Sequence, residues 1–311
     1  MPCKYLDITV KEYHDYPALS SGGLRCLMKN GPATFHARYI EKNVIESQTD
    51  AQRLGSVTHL AFEHADDPLS VLEIIPTVIE EHSCVADIND AMPEKTTAKK
   101  LVVGDKINRQ IKSHKEYMVL RESTAASNGR MWITDVEAEM IVGQMRAILD
   151  NPATREVVEQ GGGREIPACN TDPQTRILIK ALADIEQPDR IIDLKTTRQL
   201  TTEQFARDAK KHGYHLQMDH YTRCFEKPEP AQIISVTNVE PYTAFLFEFT
   251  KEMRDDAHEI VGNLYAEISG RQGKEDKESW LPKGFGEVNL IGIEGNIEDP
   301  DMVDWRKPDE Q

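Results

Sequence analysis

The sequence has few cysteines, no long apolar run and no low-complexity segment, and each absence excludes a class of protein. Its five cysteines among 311 residues are an odd number, and no two of them lie within twenty residues of each other. This spacing suits neither a disulfide framework nor a local CxxC metal site, so buried free thiols are expected, with a distributed four-cysteine cluster as the alternative. No stretch approaches the roughly 18 consecutive apolar residues of a membrane-spanning helix.

Basic residues are outnumbered by acidic ones. The 37 Lys and Arg residues against 53 Asp and Glu residues give a net charge of −16, which argues against a protein that coats nucleic acid nonspecifically. The start of the chain, MPCKYLDITVKEYHD, has charges where a signal peptide would have its apolar stretch. A cytoplasmic location is therefore expected.

The charge is spread unevenly along the chain. Residues 284–311 contain two basic and eight acidic residues and are predicted to form an irregular acidic tail. Residues 195–215, by contrast, contain five Lys and Arg residues against two acidic ones. This basic strip is either a binding surface for a polyanion or a solvated helix face, and charge alone does not separate the two.

Helical periodicity dominates the chain up to about residue 160. Two short helices separated by Gly31-Pro32 are predicted near the start, and another over Arg53–His64. A weaker helical pattern covers residues 99–114. MWIT at 131–134 is a strand candidate, followed by a helix with Asp135 as its N-cap and by a further helix that opens at Asn151-Pro152.

After the three glycines at 161–163 the period changes to that of strands. Strands are predicted over residues 164–169, 175–184 and 190–194, followed by one helix from Thr202 to about Phe225, strands at 231–239 and 243–250, and a long helix over 251–270. The predicted fold is α/β, with a mixed central sheet flanked by helices and a helical N-terminal part over 1–160. Residues 1–283 are predicted to form one domain, with its sheet core over 161–283.

The candidate chemistry lies at the ends of two predicted strands. Strand alternation places Asp193 and Lys195 on the same side of the chain, with Leu194 facing the other way. Asp184 closes the preceding strand, so the two aspartates can meet around a divalent cation such as Mg²⁺, and Glu165 can add a third carboxylate. Lys195 is then placed to orient or deprotonate a water, or to stabilise charge on a phosphate.

These residues resemble the motif of the PD-(D/E)xK nucleases, and their wider context resembles the RecE-type exonucleases, also called exodeoxyribonuclease VIII. The resemblance covers residues 13–221 and includes EYHDYPALSSGGL, GPATFHARY, LGSVTHLAFE, IIDLKTT and YHLQMDHY. Two positions depart from the pattern. Ala183 stands where the motif has proline, which carries no chemistry, and Leu182 stands where a basic residue often contacts phosphate.

The resemblance implies a role for each matching residue. It implies that a metal is held by His59, Glu165, Asp184, Asp193 and the backbone carbonyl of Leu194. It also implies Lys195 as the catalytic lysine beside Asp193, Asp184 and Glu165, with Mg²⁺ as the metal and Mn²⁺ as a substitute. Gln217 and Tyr221 match a Gln-x-x-x-Tyr motif whose four-residue spacing places both on one helix face, toward the site and the DNA backbone. DNA affinity would then also rest on Arg207, Lys210 and Lys211 of the basic strip.

The function implied is hydrolysis of one strand of linear double-stranded DNA from its 5′ end, in recombination or DNA end processing. RecE-like enzymes are toroidal oligomers, so a homo-oligomeric ring, a tetramer, with a basic lumen is expected, along with a RecT-like single-strand annealing protein as partner. Three alternatives stay open. They are an endonuclease or a RecB-type single-strand exonuclease of the same fold, a noncatalytic module that binds DNA ends, and a hydrolase of a non-nucleic phosphate ester.

Overall fold

The chain is described by a computed structural model over residues 4–44, 49–64, 67–75, 78–80, 83–91, 100–107, 111–128, 130–271, 273–274 and 277–281. The first part is mainly helical. Its elements are β1 (Lys4–Tyr5), α1 (Val10–Asp15), α2 (Ser21–Phe35), a π-helical turn (His36–Ile40), α3 (Asp50–Glu63), β2 (Leu72–Ile75), α4 (Ser83–Asp90), α5 (Lys112–Ser127), β3 (Met131–Thr134), α6 (Asp135–Asp150) and α7 (Pro152–Glu159).

The second part contains most of the main sheet. Its elements are β4 (Gly163–Thr171), β5 (Leu178–Glu186), β6 (Ile191–Thr197), α8 (Thr202–His212), α9 (Tyr214–Phe225), β7 (Gln232–Thr237), β8 (Ala244–Glu248), α10 (Lys251–Arg271) and a short 3₁₀ helix (Lys277–Trp280). The sheet has the order β1-β4-β5-β6-β7-β8, in which β6 and β7 run parallel and the other neighbours are antiparallel. This arrangement confirms the predicted α/β class with a mixed sheet.

Helices cover both faces of this sheet because its strands are apolar on both sides. One face packs against α2, α9 and α10 through a core that includes Leu24, Leu216 and Tyr265. The other face packs against α6 and α7 through Ile148, Val157 and neighbouring apolar residues. A separate small core lies among α4, α5 and the pair β2–β3. The main sheet is thus held rigidly between two helical layers, a suitable support for a site on its strands.

One detail of the helix predictions is confirmed by the structure, and three are corrected. The break at Gly31 is confirmed, since this glycine has a φ of 79° inside α2. The helix predicted over 99–114 is wrong for most of its length: the described residues 100–107 are not helical, Gly104 has a φ of 91° in a turn, and α5 begins at Lys112. The helix predicted from Thr202 to Phe225 is two helices, because Gly213 adopts a left-handed backbone with a φ of 71°. The N-cap of α6 is Thr134 rather than Asp135.

The thiol prediction is confirmed for the cysteines whose side chains are described. Cys26, Cys169 and Cys224 are buried thiols, and none of the three forms a disulfide. None of the helices in the described part of the chain is both long enough and apolar enough to cross a lipid bilayer. The predicted acidic tail, residues 284–311, lies outside the described residues.

Candidate metal centre and cleft

A cleft of about 1610 Å³ opens beside strands β4, β5 and β6. Its walls come from the segment between α1 and α2, from one face of α3, and from α9. The candidate residues His59, Glu165, Asp184, Asp193 and Lys195 all line it, and so do Gln217 and Tyr221.

Glu165 and Asp184 are cross-strand neighbours on the antiparallel strands β4 and β5. The register places them directly opposite each other, although the ladder has no pair at this point. Glu165 has a φ of 47°, a left-handed backbone that is uncommon for any residue other than glycine. Strained conformations of this kind concentrate at functional sites, where the surrounding structure maintains them.

His59 joins these two carboxylates from helix α3. The helix starts with a capping box formed by Thr49 and Gln52, which fixes its first turn. His59 Nδ1 lies 3.0 Å from Asp184 Oδ1. One ligand atom each from His59, Glu165 and Asp184 lie within 4.8 Å of one another. One imidazole and two carboxylates form a donor set suited to a divalent cation such as Mn²⁺ or Mg²⁺.

Asp184 and Asp193 meet where strands β5 and β6 separate. The last pair of the ladder is Ile185 with Ile192, so the two aspartates would be the next pair in register. The Leu194 amide N–H donates to Oδ2 of the Asp184 carboxylate at 2.5 Å rather than to a backbone carbonyl. The backbone carbonyl of Leu194 remains a predicted metal ligand.

The electrostatic environment shifts the pKa values of the two aspartates in opposite directions. Burial by itself would raise the pKa of Asp184, but the charge and hydrogen bond of His59, with the Leu194 amide, outweigh it and lower that pKa. Burial raises the pKa of Asp193, and the ammonium of Lys195 only partly opposes this effect. Lys195 and Asp193 form an ion pair in the cleft, as the strand alternation predicted. Asp184 therefore holds negative charge more readily than Asp193.

The pKa of Glu165 is also raised by its surroundings. Burial, followed by the negative charge of Asp184, raises the pKa of Glu165 to about 7. A cation bound between these carboxylates would oppose both effects, since it favours their ionised forms. The cluster thus has the electrostatic character of a cation site.

Gln217 and Tyr221 contact Asp193 and each other rather than the protein surface. Gln217 Nε2 donates to Asp193 Oδ1 at 2.9 Å and lies 3.1 Å from the Tyr221 hydroxyl. The two residues are only 4% and 7% exposed. Their spacing predicted the shared helix face correctly, and that face turns toward the site.

The basic residues of the cleft differ from those of the predicted strip. Arg207, Lys210 and Lys211 are exposed on α8, and none of them lines the cleft. The cations that do line it, besides Lys195, are Arg25, Arg38, Lys42, Lys180 and Lys274. These side chains come from segments that are distant in sequence, so a run of positive charge does not reveal them.

Two further residues of the cleft were missed by the sequence reasoning. Glu63 lines it one helical turn after His59, and its charge contributes to the raised pKa of Glu165. The His-x-x-x-Glu spacing on a helix could have identified this residue. Lys180 is buried on β5, and its ammonium donates to the carbonyls of Tyr13, His14 and Tyr16 at 2.6, 3.0 and 2.8 Å. No sequence pattern indicates that contact.

The sheet with a carboxylate cluster and an Asp-x-Lys strand end defines a protein of the PD-(D/E)xK nuclease class. Residues 26–277 match the family described as PDDEXK-like domain of unknown function (DUF3799), and the chain belongs to that family. This membership confirms the predicted superfamily and agrees with the RecE-type resemblance. No curated protein sequence matches the chain.

One solved structure shares the fold at low sequence identity, and two others are similar over part of the chain. A proposed exonuclease from Eubacterium rectale superposes with a TM-score of 0.52 at 11% identity, over 96% of this chain and 100% of its own. A phage-related exonuclease from Haemophilus somnus 129PT has a TM-score of 0.27 at 15% identity, over 63% of this chain and 97% of its own. An alkaline exonuclease from Laribacter hongkongensis has a TM-score of 0.26 at 15% identity, over 64% and 89%. The first of these similarities shows that the two chains share a fold.

Proposed function

We propose that the protein is a metal-dependent DNA exonuclease that hydrolyses phosphodiester bonds of linear double-stranded DNA. The observation that carries this proposal is the convergence of His59, Glu165 and Asp184 within 4.8 Å, beside the ion pair of Asp193 and Lys195. Membership of the PDDEXK-like family supports the nuclease chemistry. The exonuclease with which the chain shares its fold supports the exonuclease mode.

In this proposal His59, Glu165, Asp184, Asp193 and the Leu194 carbonyl hold Mg²⁺, with Mn²⁺ as a substitute. A divalent cation supplies Lewis acidity toward the scissile phosphate and lowers the pKa of a water. Lys195 positions that water and stabilises negative charge at the phosphate with its ammonium group. Its stem lies on rigid strand β6, and its Nζ lies 5.3 Å from the centre of the Tyr214 ring, which restricts the direction of the side chain.

Gln217 and Tyr221 complete the proposed site. The hydrogen bond from Gln217 fixes the orientation of the Asp193 carboxylate, and the Tyr221 hydroxyl lies against the same amide group. Groups of this kind set the direction of metal ligands. Arg207, Lys210 and Lys211 on the exposed face of α8 are proposed to contact DNA outside the cleft, where their charge attracts phosphates.

The resemblance to RecE-type enzymes supports four further proposals about this protein. They are 5′ to 3′ polarity of hydrolysis, a role in recombination or DNA end processing, a homo-oligomeric ring of four subunits, and a RecT-like annealing partner. Residues 1–283 are proposed to act as one nuclease domain, followed by the acidic tail. The reduced thiols of Cys26, Cys169 and Cys224 are consistent with the proposed cytoplasmic location.

Digestion of two DNA forms tests the proposal. Linear duplex DNA with 5′ phosphates and covalently closed circular DNA are incubated with the protein in Mg²⁺ or in EDTA. The proposal predicts Mg²⁺-dependent loss of linear DNA and survival of the circles. Cleavage of circles would indicate an endonuclease, and binding to DNA ends with no release of nucleotides would indicate a noncatalytic module.

A further inference from the structure

The segment 31–39, GPATFHARY, forms part of the cleft wall but has no role in the chemistry above. Gly31 interrupts the helical backbone of α2, and His36–Ile40 then forms a π-helical turn. Turns of this kind are rare and are frequently found at functional sites. The local geometry is therefore typical of a segment with a binding role.

The segment builds an aromatic stack that ends at the cleft. The rings of Phe35 and Tyr39 are stacked at 15° with their centres 5.4 Å apart, and Phe35 stacks in turn on Trp280 at 29° and 5.7 Å. Phe35 and Trp280 are each 3% exposed, whereas Tyr39 is 39% exposed. All three side chains line the cleft. The stack is thus anchored in the core at one end and accessible at Tyr39.

Two glycines of α2 allow the stack to sit this close to the helix. A Cβ atom added at Gly22 would lie 3.2 Å from the Tyr39 hydroxyl oxygen, and one at Gly23 would lie 3.2 Å from Phe35 and 3.4 Å from Tyr39. Any larger side chain would crowd the rings. The SSGGL and GPATFHARY motifs are therefore packed against each other, and together they fix the plane of the Tyr39 ring.

Two cations, one within this segment and one just after it, line the cleft together with the stack. Arg38 precedes Tyr39, and Lys42 follows it by three residues. An aromatic ring beside basic side chains is the combination by which proteins bind single-stranded nucleic acid: the base stacks on the ring and the phosphate contacts the cation. Cations alone would bind any polyanion, so the ring is the feature that points to a nucleotide.

The burial of the two aspartates bears on which part of a DNA substrate could reach them. Asp184 and Asp193 are only 8% and 2% exposed. A phosphate that approaches them must enter the cleft on a strand separated from its complement, and its base then loses its stacking neighbours. Extracting a base from the helix costs a few kcal/mol, and a stacking surface near the point of separation offsets this cost.

We propose that Tyr39 is a stacking platform for an unpaired nucleobase at the end of the DNA strand that enters the cleft. This inference rests on the proposed function, because it takes DNA to be the substrate. Its chemistry is nonetheless independent of hydrolysis, since stacking requires only the ring and the base. Tyr39 binds the DNA and takes no part in the bond-breaking step.

The test uses duplex DNA whose 5′-terminal nucleotide is an unpaired 2-aminopurine, a base whose fluorescence is quenched by stacking. Binding is measured with Ca²⁺ in place of Mg²⁺ for the unmodified protein, Tyr39→Phe and Tyr39→Leu. A second probe carries 2-aminopurine at an internal paired position. Thermal unfolding of each variant checks the fold, and hydrolysis in Mg²⁺ is recorded separately.

The expected result is quenching of the terminal probe by the unmodified protein and by Tyr39→Phe, with loss of quenching and about tenfold weaker binding for Tyr39→Leu. The internal probe should respond equally to all three proteins. Equal quenching and affinity for Tyr39→Leu would overturn the proposal. The proposal would also be overturned if the unmodified protein bound the terminal probe to saturation without quenching its fluorescence. This second outcome does not depend on whether any variant folds. Absence of hydrolysis in Mg²⁺ would count against the proposed function and leave the fluorescence result interpretable.

Discussion

Gln217 on helix α9 donates a hydrogen bond of 2.9 Å from its Nε2 atom to Oδ1 of Asp193 on strand β6. The contact is buried and joins a helix to the strand that carries the Asp-x-Lys motif. Lys195 contacts the other carboxylate oxygen of Asp193. The orientation of this carboxylate is therefore set from two sides by elements that are rigidly packed.

Replacing the Gln217 amide should reduce the rate of DNA hydrolysis, because the Asp193 carboxylate loses a hydrogen bond that orients it. We predict that Gln217→Leu lowers the rate of DNA hydrolysis about 10- to 100-fold, because loss of a group that orients a metal ligand has effects of this size. Rates and metal titrations should be measured together. Gln160→Leu is the matched control and should leave the rate unchanged, because Gln160 is exposed at the end of α7 and does not line the cleft. An unchanged rate for Gln217→Leu would show that the hydrogen bond has no role in positioning.

Metal binding should stabilise the protein through Asp184. A ligand present at 100 times its Kd raises the free energy of unfolding by about 2.7 kcal/mol, so Mn²⁺ or Mg²⁺ should raise the unfolding temperature of the unmodified protein. Asp184→Asn should abolish this rise, because it removes a charged ligand of the cluster. Asp255→Asn on the exposed face of α10 is the control and should respond as the unmodified protein does. An equal metal-induced rise in Asp184→Asn would refute the assigned site.

His220 should make stability depend on pH. It is fully buried, its Nε2–H donates to the Lys180 carbonyl at 2.9 Å, and its Nδ1 accepts from the Tyr265 hydroxyl at 2.6 Å. Burial lowers the pKa of His220 to about 4, against about 6.5 in the unfolded chain. The unfolded state therefore binds a proton first as the pH falls below about 6.5, and the free energy of unfolding decreases until the pH reaches about 4.

The titration of His220 should lower the free energy of unfolding by about 2 kcal/mol between about pH 7.5 and pH 5. Urea denaturation of the unmodified protein and of His220→Gln at the two pH values isolates it, since the variant lacks the titrating group. Tyr265→Phe keeps the imidazole and should retain the pH dependence. The assignment is wrong if His220→Gln loses as much stability on acidification as the unmodified protein does.

Lys180 should hold the cleft wall between α1 and α2 in place. Its ammonium donates to three backbone carbonyls at the end of α1, and Lys180→Met leaves these acceptors without their charged donor. We predict a loss of about 2 kcal/mol or more in the free energy of unfolding and faster proteolysis within residues 10–20. Lys251→Met, which removes an exposed ion pair on α10, should cost less than about 1 kcal/mol. Comparable losses for the two variants would contradict this role.

The sequence predicts the main sheet and the side-chain directions at Asp193 and Lys195 because strand alternation is a local property. The break at Gly213 is not predicted, since a single glycine within a continuous helical pattern is often tolerated. The helix predicted over 99–114 fails because apolar residues there surround a turn at Gly104-Asp105. Local patterns thus identify most elements and leave their interruptions uncertain.

The site depends more strongly on contacts between distant segments. His59 was identified only through the resemblance, because a single histidine on an amphipathic helix has no distinguishing local pattern. The contact of Lys180 with the α1 carbonyls and the aromatic stack of Phe35, Tyr39 and Trp280 arise from tertiary packing. The cations of the cleft are likewise assembled from separate segments, whereas Arg207, Lys210 and Lys211 of the basic strip lie together on α8, outside the cleft.

The proposed nuclease site is tested most directly by single-turnover hydrolysis of linear duplex DNA by Lys195→Met, with the Mn²⁺-induced rise in unfolding temperature measured on the same samples. We expect a rate at least about 100-fold below that of the unmodified protein with the metal-induced rise retained, while Lys251→Met should behave as the unmodified protein does. Hydrolysis by Lys195→Met at the unmodified rate would show that the cleft containing Lys195 and the metal-binding carboxylates is not the nuclease site.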